Sequence, residues 1–195
     1  TFAKAYDYAK LAEGATGVRA ALLLAILNQE SLLGKNVGRC SYKTAMHPTR
    51  DKPIFLALLS SLNIDPESQF AFVSCANQHG TYGGAMGPAQ FIPSTWKLYA
   101  SEISRVTGNN PSNPWNNADA FVATGLYIED LLSSKTCVDY ANANKNLVSY
   151  QALLEKCASS KYYSGSNWYA YRNYYGQPVV DKANQFQQDI DVLTG

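Results

Sequence analysis

Charged side chains are scarce in this sequence. Lys and Arg together number 16, Asp and Glu number 15, and charged residues make up 16% of the 195 residues, against roughly 25% in an ordinary soluble protein. The formal net charge is +1, and acidic and basic residues are dispersed along the chain. Such a chain has little electrostatic attraction for nucleic acid or anionic lipid, so we expect neither as a partner.

Long apolar runs and metal-ligand spacings are also lacking. The longest apolar run, from Ala20 to Leu27, is far too short to span a membrane. None of the four cysteines belongs to a C-x-x-C pair, and the only histidines are His47 and His79, so no zinc motif is present. The sequence contains no aspartate-rich loop that ends in Glu, the pattern typical of a calcium site. We therefore expect no metal site and no membrane span.

The four cysteines are widely spaced, which is typical of disulfides formed in an oxidising compartment. Three pairings are possible, and the sequence favours Cys40–Cys75 with Cys137–Cys157, since each pair closes one local loop. Each bridge would stabilise the fold by about 3–4 kcal/mol on loop-entropy grounds. These cysteines predict a location outside the cytoplasm: secreted, periplasmic or cell-wall associated. The alternative is a cytosolic protein with four buried free thiols.

Helical patterns joined by polar loops account for most of the chain. Its length and its 46% of hydrophobic residues suffice for one compact domain with a real core. The sequence predicts an all-α or strongly α-dominated fold as a single domain over residues 1–195, although Tyr162 to Tyr175 could hold a short hairpin. Thr16 is the predicted N-cap of the second helix and Gly34 its stop. The predicted helices are 2–12, 18–33, 51–62, one starting at 65, 93–106, 118–132, 149–162 and 178–193.

One carboxylate in the second predicted helix stands where a carboxylate is disfavoured. Glu30 follows Ile26 by four residues and Leu27 by three, so it shares a helix face with aliphatic side chains. It also lies in the last turn, where the helix dipole is negative. Both effects would raise the pKa of Glu30, as general-acid cleavage of a glycosidic bond requires. A Glu that reaches solvent from the edge of the core is the alternative.

The segment Thr81–Ser94 (TYGGAMGPAQFIPS) is rich in glycine. Its three glycines would let the backbone approach a ligand closely or adopt positive φ. Gln90 offers a neutral donor and acceptor, which suits an amide or hydroxyl group of a sugar. The segment lacks the form of a phosphate-binding loop, and a tight turn without a ligand is the alternative.

The chain contains three distinctive sequence blocks: Gln29–Ser31 (QES), Gly84–Ser94 (GAMGPAQFIPS) and Asn113–Ala120 (NPWNNADA). Together they resemble lytic transglycosylases of the membrane-bound B type and, more widely, the lysozyme-like transglycosylases. The resemblance implies a lysozyme-like transglycosylase fold, a bacterial cell-wall enzyme, peptidoglycan glycan strands as the partner and no cofactor; we expect a monomer.

The resemblance assigns roles to individual residues. Glu30 matches the single acid/base of the family, and Gln90 matches a glutamine that lines the sugar cleft. Thr81 stands where the family tends to have a hydroxyl that positions the acid. Tyr127 matches an aromatic residue that faces the cleft or the core. Asp119 is interpreted as a helix-start charge rather than as a catalyst.

Aromatic residues supply candidate sugar-binding surfaces, because an aromatic face packs on the apolar C–H groups of a sugar. The late motif of the family is Tyr-Asn; Tyr162 fits it, and Tyr163 replaces the asparagine. Anchoring in the core or in a loop is the alternative for each aromatic residue. The remaining candidates are Trp96, Trp115, Trp168 and the tyrosines up to Tyr175.

No second carboxylate lies in a recognisable cleft motif, unlike in two-carboxylate glycosidases. The resemblance implies instead a lytic transglycosylase in which Glu30 serves as acid and then as base. It would cleave the β-1,4 bond between N-acetylmuramic acid and N-acetylglucosamine and leave a 1,6-anhydro end. Two alternatives stay open: a lysozyme-like muramidase that hydrolyses this bond, and a non-catalytic glycan-binding cell-wall domain.

Overall fold

The computed structural model describes residues 1–77 and 81–194. These residues form helices joined by loops, and their β-pairing is limited to two isolated bridges, Cys40 with Val73 and Met86 with Phe91. The all-α prediction is confirmed. The helices are α1 (Phe2–Thr16), α2 (Ala20–Ser31), α3 (Tyr42–Ala45), α4 (Lys52–Ser61), α5 (Pro93–Thr107), α6 (Asn117–Ser133), α7 (Lys135–Asn144), α8 (Tyr150–Ser164), α9 (Trp168–Tyr171) and α10 (Gln177–Thr194).

The chain forms two compact units. The first comprises Thr1–Gln29 and the chain from Thr124 onward, and the second comprises Glu30–Ala123. The boundaries fall inside α2 and inside α6, so the prediction of one domain over the whole chain stays a prediction.

Among the described residues, no helix is long and apolar enough to cross a membrane, and no cluster of His, Cys, Asp or Glu side chains could hold a metal ion.

The first unit is built on small residues and on one buried ion pair. Ala5, Ala9 and Ala12 of α1 are buried, and their spacing of four and three residues places them on one helix face. Glu155 of α8 is 1% exposed and accepts two hydrogen bonds from Arg19, of 2.8 and 2.6 Å. This bidentate pair satisfies the carboxylate that burial would otherwise penalise.

The second unit is organised by two buried carboxylates that hold loops. Asp51 accepts a 3.1 Å hydrogen bond from the backbone N–H of Ser94, in the first turn of α5. Asp119 accepts hydrogen bonds from Asn109 Nδ2 at 2.9 Å and from the N–H of Asn113 at 2.7 Å. Asp119 is thus the helix-start acid that the sequence indicates, and it also closes the asparagine-rich loop before α6.

The disulfides join Cys40 to Cys75 and Cys137 to Cys157, the pairing that the sequence favours. Each bond lies within one unit. Cys137 and Cys157 are fully buried and join α7 to α8. All four cysteines lie in the described part of the chain, and none of them is free.

Several predicted helix boundaries are wrong. Thr16 is the last residue of α1, not an N-cap: its hydroxyl donates to the carbonyl of Ala12 at 2.8 Å, and Gly17 ends the helix with a φ of 72°. The helix predicted from Asp65 is only a 3-10 turn at Gln69–Ala71, since the Asp65 carboxylate accepts from the nearby Glu67 N–H and favours a turn.

Two further differences concern the second half of the chain and the glycine-rich segment. The helix α7 was missed by the sequence pattern. The segment from Tyr162 to Tyr175 is helical rather than a hairpin, and it ends in a π-helical stretch at Arg172–Gly176. The predicted lack of helix in residues 78–87 is confirmed for 81–87; residues 78–80, including His79, lie outside the described residues.

Candidate active site

Glu30 lies where α2 leaves the core. Every residue from Ala20 to Leu27 is at most 4% exposed, so this part of the helix is buried around its whole circumference rather than on one face. The next three residues are more accessible, and Glu30 itself is half-buried. Glu30 is in the last turn of α2, as predicted. Glu30 is therefore partly accessible to solvent, at the negative end of a buried helix.

The residue after Glu30 fixes the end of α2. Ser31 is 1% exposed, its hydroxyl donates a 2.7 Å hydrogen bond to the carbonyl of Pro88, and its Oγ accepts a 2.9 Å bond from the N–H of Gly34. The end of the helix is thereby attached to the glycine-rich segment. Sequence reasoning did not single out Ser31, although a small hydroxyl residue three positions before a glycine was a usable signal.

The chain leaves α2 through three successive residues with positive φ. Leu32 and Leu33 have φ angles of 52° and 58°, and Gly34 has a φ of 88°. The left-handed conformation costs roughly 1–2 kcal/mol per L-residue, and the side chain of Leu32 is nevertheless 57% exposed. Strained backbone of this kind directly after a candidate acid fits a functional site.

Other parts of the protein lie close against the glycines of the segment Thr81–Ser94. A Cβ atom at Gly83 would lie 2.4 Å from the carbonyl oxygen of Ser74, and one at Gly84 would lie 2.6 Å from Met46 Cγ. At Gly87 the Cβ would lie 1.9 Å from the carbonyl oxygen of Pro114. The expected positive φ is confirmed at Gly84 (91°) and Gly87 (60°), and close approach of a ligand to this segment stays a prediction.

Gln90 has an unusual backbone and an anchored side chain. Its φ is 55°, and its Nε2 donates a 2.8 Å hydrogen bond to the carbonyl oxygen of Gly87. This bond fixes the plane of the amide, whose second N–H and carbonyl oxygen are the groups that suit a sugar hydroxyl or acetamide. Through Ser31 and Pro88, the segment that carries Gln90 is attached to the helix end that carries Glu30.

Thr81 is hydrogen-bonded to Asn77. Its N–H donates to Asn77 Oδ1 at 3.1 Å, and its carbonyl accepts from the N–H of Asn77 at 3.2 Å. The neighbouring Tyr82 packs on His47 with ring centroids 4.7 Å apart. The role of Thr81 in positioning Glu30 stays a prediction.

In the first unit, two of the three predicted tyrosines come together. The rings of Tyr127 and Tyr162 are 5.4 Å apart, and the hydroxyls of Tyr162 and Thr124 share a 3.3 Å hydrogen bond. Burial, together with the charge of Asp130, raises the pKa of the Tyr127 phenol. Tyr163 instead stacks on Tyr175, with centroids 4.6 Å apart.

Two of the three candidate tryptophans follow the alternative interpretation and are anchored in the core. Trp96 is 2% exposed and meets Phe91 edge-on, and Trp168 is buried against Tyr140, so both are core residues. Trp115 is half-buried and lines a cavity of about 460 Å³ in the second unit. Of the three, Trp115 alone keeps a surface that a ligand could contact.

Residues 2–135 match the family profile described as a transglycosylase SLT domain. The fold is similar to that of the soluble lytic transglycosylase SltB1 from Pseudomonas aeruginosa, with a TM-score of 0.59 and 18% identity over 96% of this chain and 77% of that chain. A 36 kDa muramidase/transglycosylase aligns with a TM-score of 0.47 and 24% identity; the chain matches over 63% of its own length and spans 40% of that structure. No curated protein sequence matches the chain.

Proposed function

Because the chain belongs to the transglycosylase SLT domain family, we propose that it is a peptidoglycan lytic transglycosylase that uses Glu30 as its single acid/base. The predicted resemblance to lytic transglycosylases is confirmed for the family and for the lysozyme-like fold. The reaction, the product and the roles of individual residues are the content of the proposal.

The observation that carries this proposal is the attachment of the Glu30 helix end to the Gln90 segment. The half-buried carboxylate of Glu30 precedes Ser31, whose hydroxyl bonds to Pro88, and Gln90 follows two residues later. A catalytic carboxylate needs such fixed neighbours, because small displacements from the productive geometry cost large factors in rate. In this arrangement Ser31 is a positioning residue.

The proposed chemistry uses the Glu30 carboxyl group twice, first as an acid and then as a base. Glu30 donates its proton to the oxygen between N-acetylmuramic acid and N-acetylglucosamine, and the bond from C1 to that oxygen breaks. The acetamide oxygen of the substrate stabilises the cation that develops at C1. The C6 hydroxyl of the muramic residue then attacks C1 and returns its proton to the Glu30 carboxylate. The strand is cut with a 1,6-anhydro end, without consumption of water or a cofactor.

Digestion of purified peptidoglycan, followed by mass spectrometry of the fragments, tests the proposal. We expect anhydro ends from the wild type, and a rate lower by about 100-fold or more in Glu30→Gln, since general-acid catalysis commonly contributes this much. Gln29→Ala, a change at the exposed neighbour of Glu30, serves as the matched control and should keep its activity. Circular dichroism verifies that each variant is folded.

Three results would contradict the proposal. Reducing ends in place of anhydro ends would identify a muramidase that admits water. Full activity in Glu30→Gln would remove that residue from the reaction. Binding of peptidoglycan without any fragments would identify a glycan-binding domain.

The same proposal places the protein outside the cytoplasm, where disulfides form and persist. Two disulfide bonds, which join all four cysteines, support this location. Thiol counting on denatured protein from its native source should find no free thiol, and four free thiols would contradict the location. Light scattering should show a monomer.

A further inference from the structure

Three tyrosines near the C-terminal end of the first unit form one exposed aromatic surface. Tyr163, Tyr171 and Tyr174 are 48%, 37% and 72% exposed. Their ring centroids are separated by 5.3, 6.5 and 6.3 Å, so the three rings are contiguous; we call them the tyrosine patch. Single exposed aromatic residues are ordinary, whereas large rings exposed together mark a binding surface.

The tyrosine patch rests on a rigid base. Tyr163 stacks on Tyr175 with an interplanar angle of 14°, and Tyr175 is only 3% exposed. A Cβ atom at Gly176 would lie 2.2 Å from Ser160 Oγ and 2.5 Å from the carbonyl oxygen of Lys156. The glycine therefore lets the π-helical stretch pack directly on α8. Such stretches are uncommon and are frequently found at functional sites.

The tyrosine patch itself carries no charge. Arg172 is the only charged residue between Tyr171 and Gly176. Its guanidinium lies 3.7 Å from the ring centroid of Tyr169 and donates to the carbonyl oxygen of that residue. The guanidinium of Arg172 therefore binds to Tyr169. The surface of the patch consists of neutral rings with hydroxyl groups at their edges.

We propose that the tyrosine patch binds the glycan strand of peptidoglycan by stacking on sugar rings. Sugar rings offer apolar C–H faces and hydroxyl edges, which match the faces and hydroxyls of tyrosine. A nucleic acid would instead call for a strongly basic surface, whereas this chain has a net charge of +1 with acidic and basic residues dispersed along it. The choice of glycan rests on the proposed function, which supplies the polymer. In this proposal Tyr163 stacks on a sugar ring, where an asparagine would form a hydrogen bond. Tyr171 and Tyr174 stack on the strand in the same way.

The test compares three variants in sedimentation binding to insoluble peptidoglycan, in a Glu30→Gln background so that the substrate is not digested. Tyr171→Ala/Tyr174→Ala should weaken binding about tenfold, as expected for the loss of two aromatic contacts. Tyr171→Phe/Tyr174→Phe keeps the ring faces and should bind within about threefold of the parent, since a hydroxyl contributes less than a ring. Tyr150→Ala is the matched control, because Tyr150 is 38% exposed and lies outside the patch; it should bind like the parent.

Each outcome decides the proposal. Undiminished binding by the double alanine variant overturns it, and so does an equal loss in the phenylalanine variant, which would deny a role to the ring faces. Self-association that the alanine variant abolishes, with glycan binding intact, would identify a protein interface and overturn it as well. Wild-type protein that binds through the patch but releases no fragments supports the patch and contradicts the proposed function. Cleavage by the wild type, together with normal binding by the patch variants, supports the proposed function and contradicts the role of the patch.

Discussion

The hydroxyl of Ser31 is bonded to the carbonyl oxygen of Pro88, 57 residues later in the chain. Ser31→Ala removes this buried bond and leaves the carbonyl without its donor. We expect the free energy of unfolding to fall by about 1–3 kcal/mol, and the rate of peptidoglycan cleavage to fall because the end of the Glu30 helix is no longer fixed. Urea unfolding and fragment release measure the two effects.

The control for Ser31 is Ser61→Ala. Ser61 also donates a 2.7 Å hydrogen bond to a backbone carbonyl, that of Leu58, but it does so at the exposed end of α4. Stability and activity should both stay close to those of the wild type. Equal effects of the two substitutions would contradict a positioning role for Ser31.

The positive φ of Leu32 predicts that one substitution can stabilise the fold. Asparagine adopts the left-handed conformation more readily than leucine, and the side chain of Leu32 is mostly exposed. Leu32→Asn should therefore raise the free energy of unfolding by about 0.5–1 kcal/mol. Leu98→Asn, the same change at an exposed position inside α5, should lower it slightly, because asparagine is a poorer helix former. Changes of the same sign in urea unfolding would refute the argument.

The buried carboxylate of Asp51 predicts a loss of stability in acid. Burial by itself raises the pKa of Asp51, but hydrogen bonds from Arg50 and Ser94 outweigh it and hold the pKa below its ordinary value of 3.8. The folded state therefore favours the charged form. The stability from Asp51 is complete above the unfolded-state value and is lost as the pH falls through the lower, folded-state pKa.

Asp51→Asn should accordingly reduce the pH dependence of stability. The loss of unfolding free energy between about pH 6 and about pH 2.5 should be smaller in this variant than in the wild type. Glu102→Gln is the control: hydrogen bonding to Arg105 also lowers the pKa of Glu102, but the pair is exposed and screened by solvent. An unchanged pH dependence in Asp51→Asn, measured by urea unfolding, would contradict the assignment.

The buried ion pair of the first unit predicts that substitutions of two basic residues differ greatly in their effect on the free energy of unfolding. Arg19→Met leaves the carboxylate of Glu155, which is 1% exposed, without its main partner, and should lower the free energy of unfolding by about 3 kcal/mol. Lys135→Met removes a partner of Asp139 from an exposed pair and should change it by about 0.5 kcal/mol or less. Similar midpoints for the two variants in denaturant would be inconsistent with this difference.

Local chemical signals explain which helices could be predicted. Pro93 marks the start of α5 because proline fits the first helical position, and the structure begins the helix at that residue. Asp51 precedes α4 as expected, but its side chain makes no cap there; it bonds across the unit to Ser94. The sequence shows that Asp51 is an acidic residue suited to a helix start. It does not show whether the side chain bonds at the start of α4 or at the start of α5.

The candidate site was predictable in part for a similar reason. Glu30 and Gln90 stand in recognisable blocks, so both could be chosen from the sequence. The sequence shows Ser31 three residues before Gly34, but not its bond to Pro88. It also does not show that the carbonyl of Pro114 lies where a Cβ atom at position 87 would stand. Both contacts join residues far apart in sequence and depend on packing, so neither could be predicted.

The disulfide between Cys137 and Cys157 encloses the connection between α7 and α8. Leu147 and Val148 in this connection are 82% and 52% exposed, and such a loop is a preferred site of proteolytic nicking. A protease that cuts there opens the backbone but releases no fragment, since both ends stay covalently joined. The nicked protein would run as one chain on a non-reducing gel and as two on a reducing gel. The bond thus gives the protein tolerance to a cut in an accessible loop.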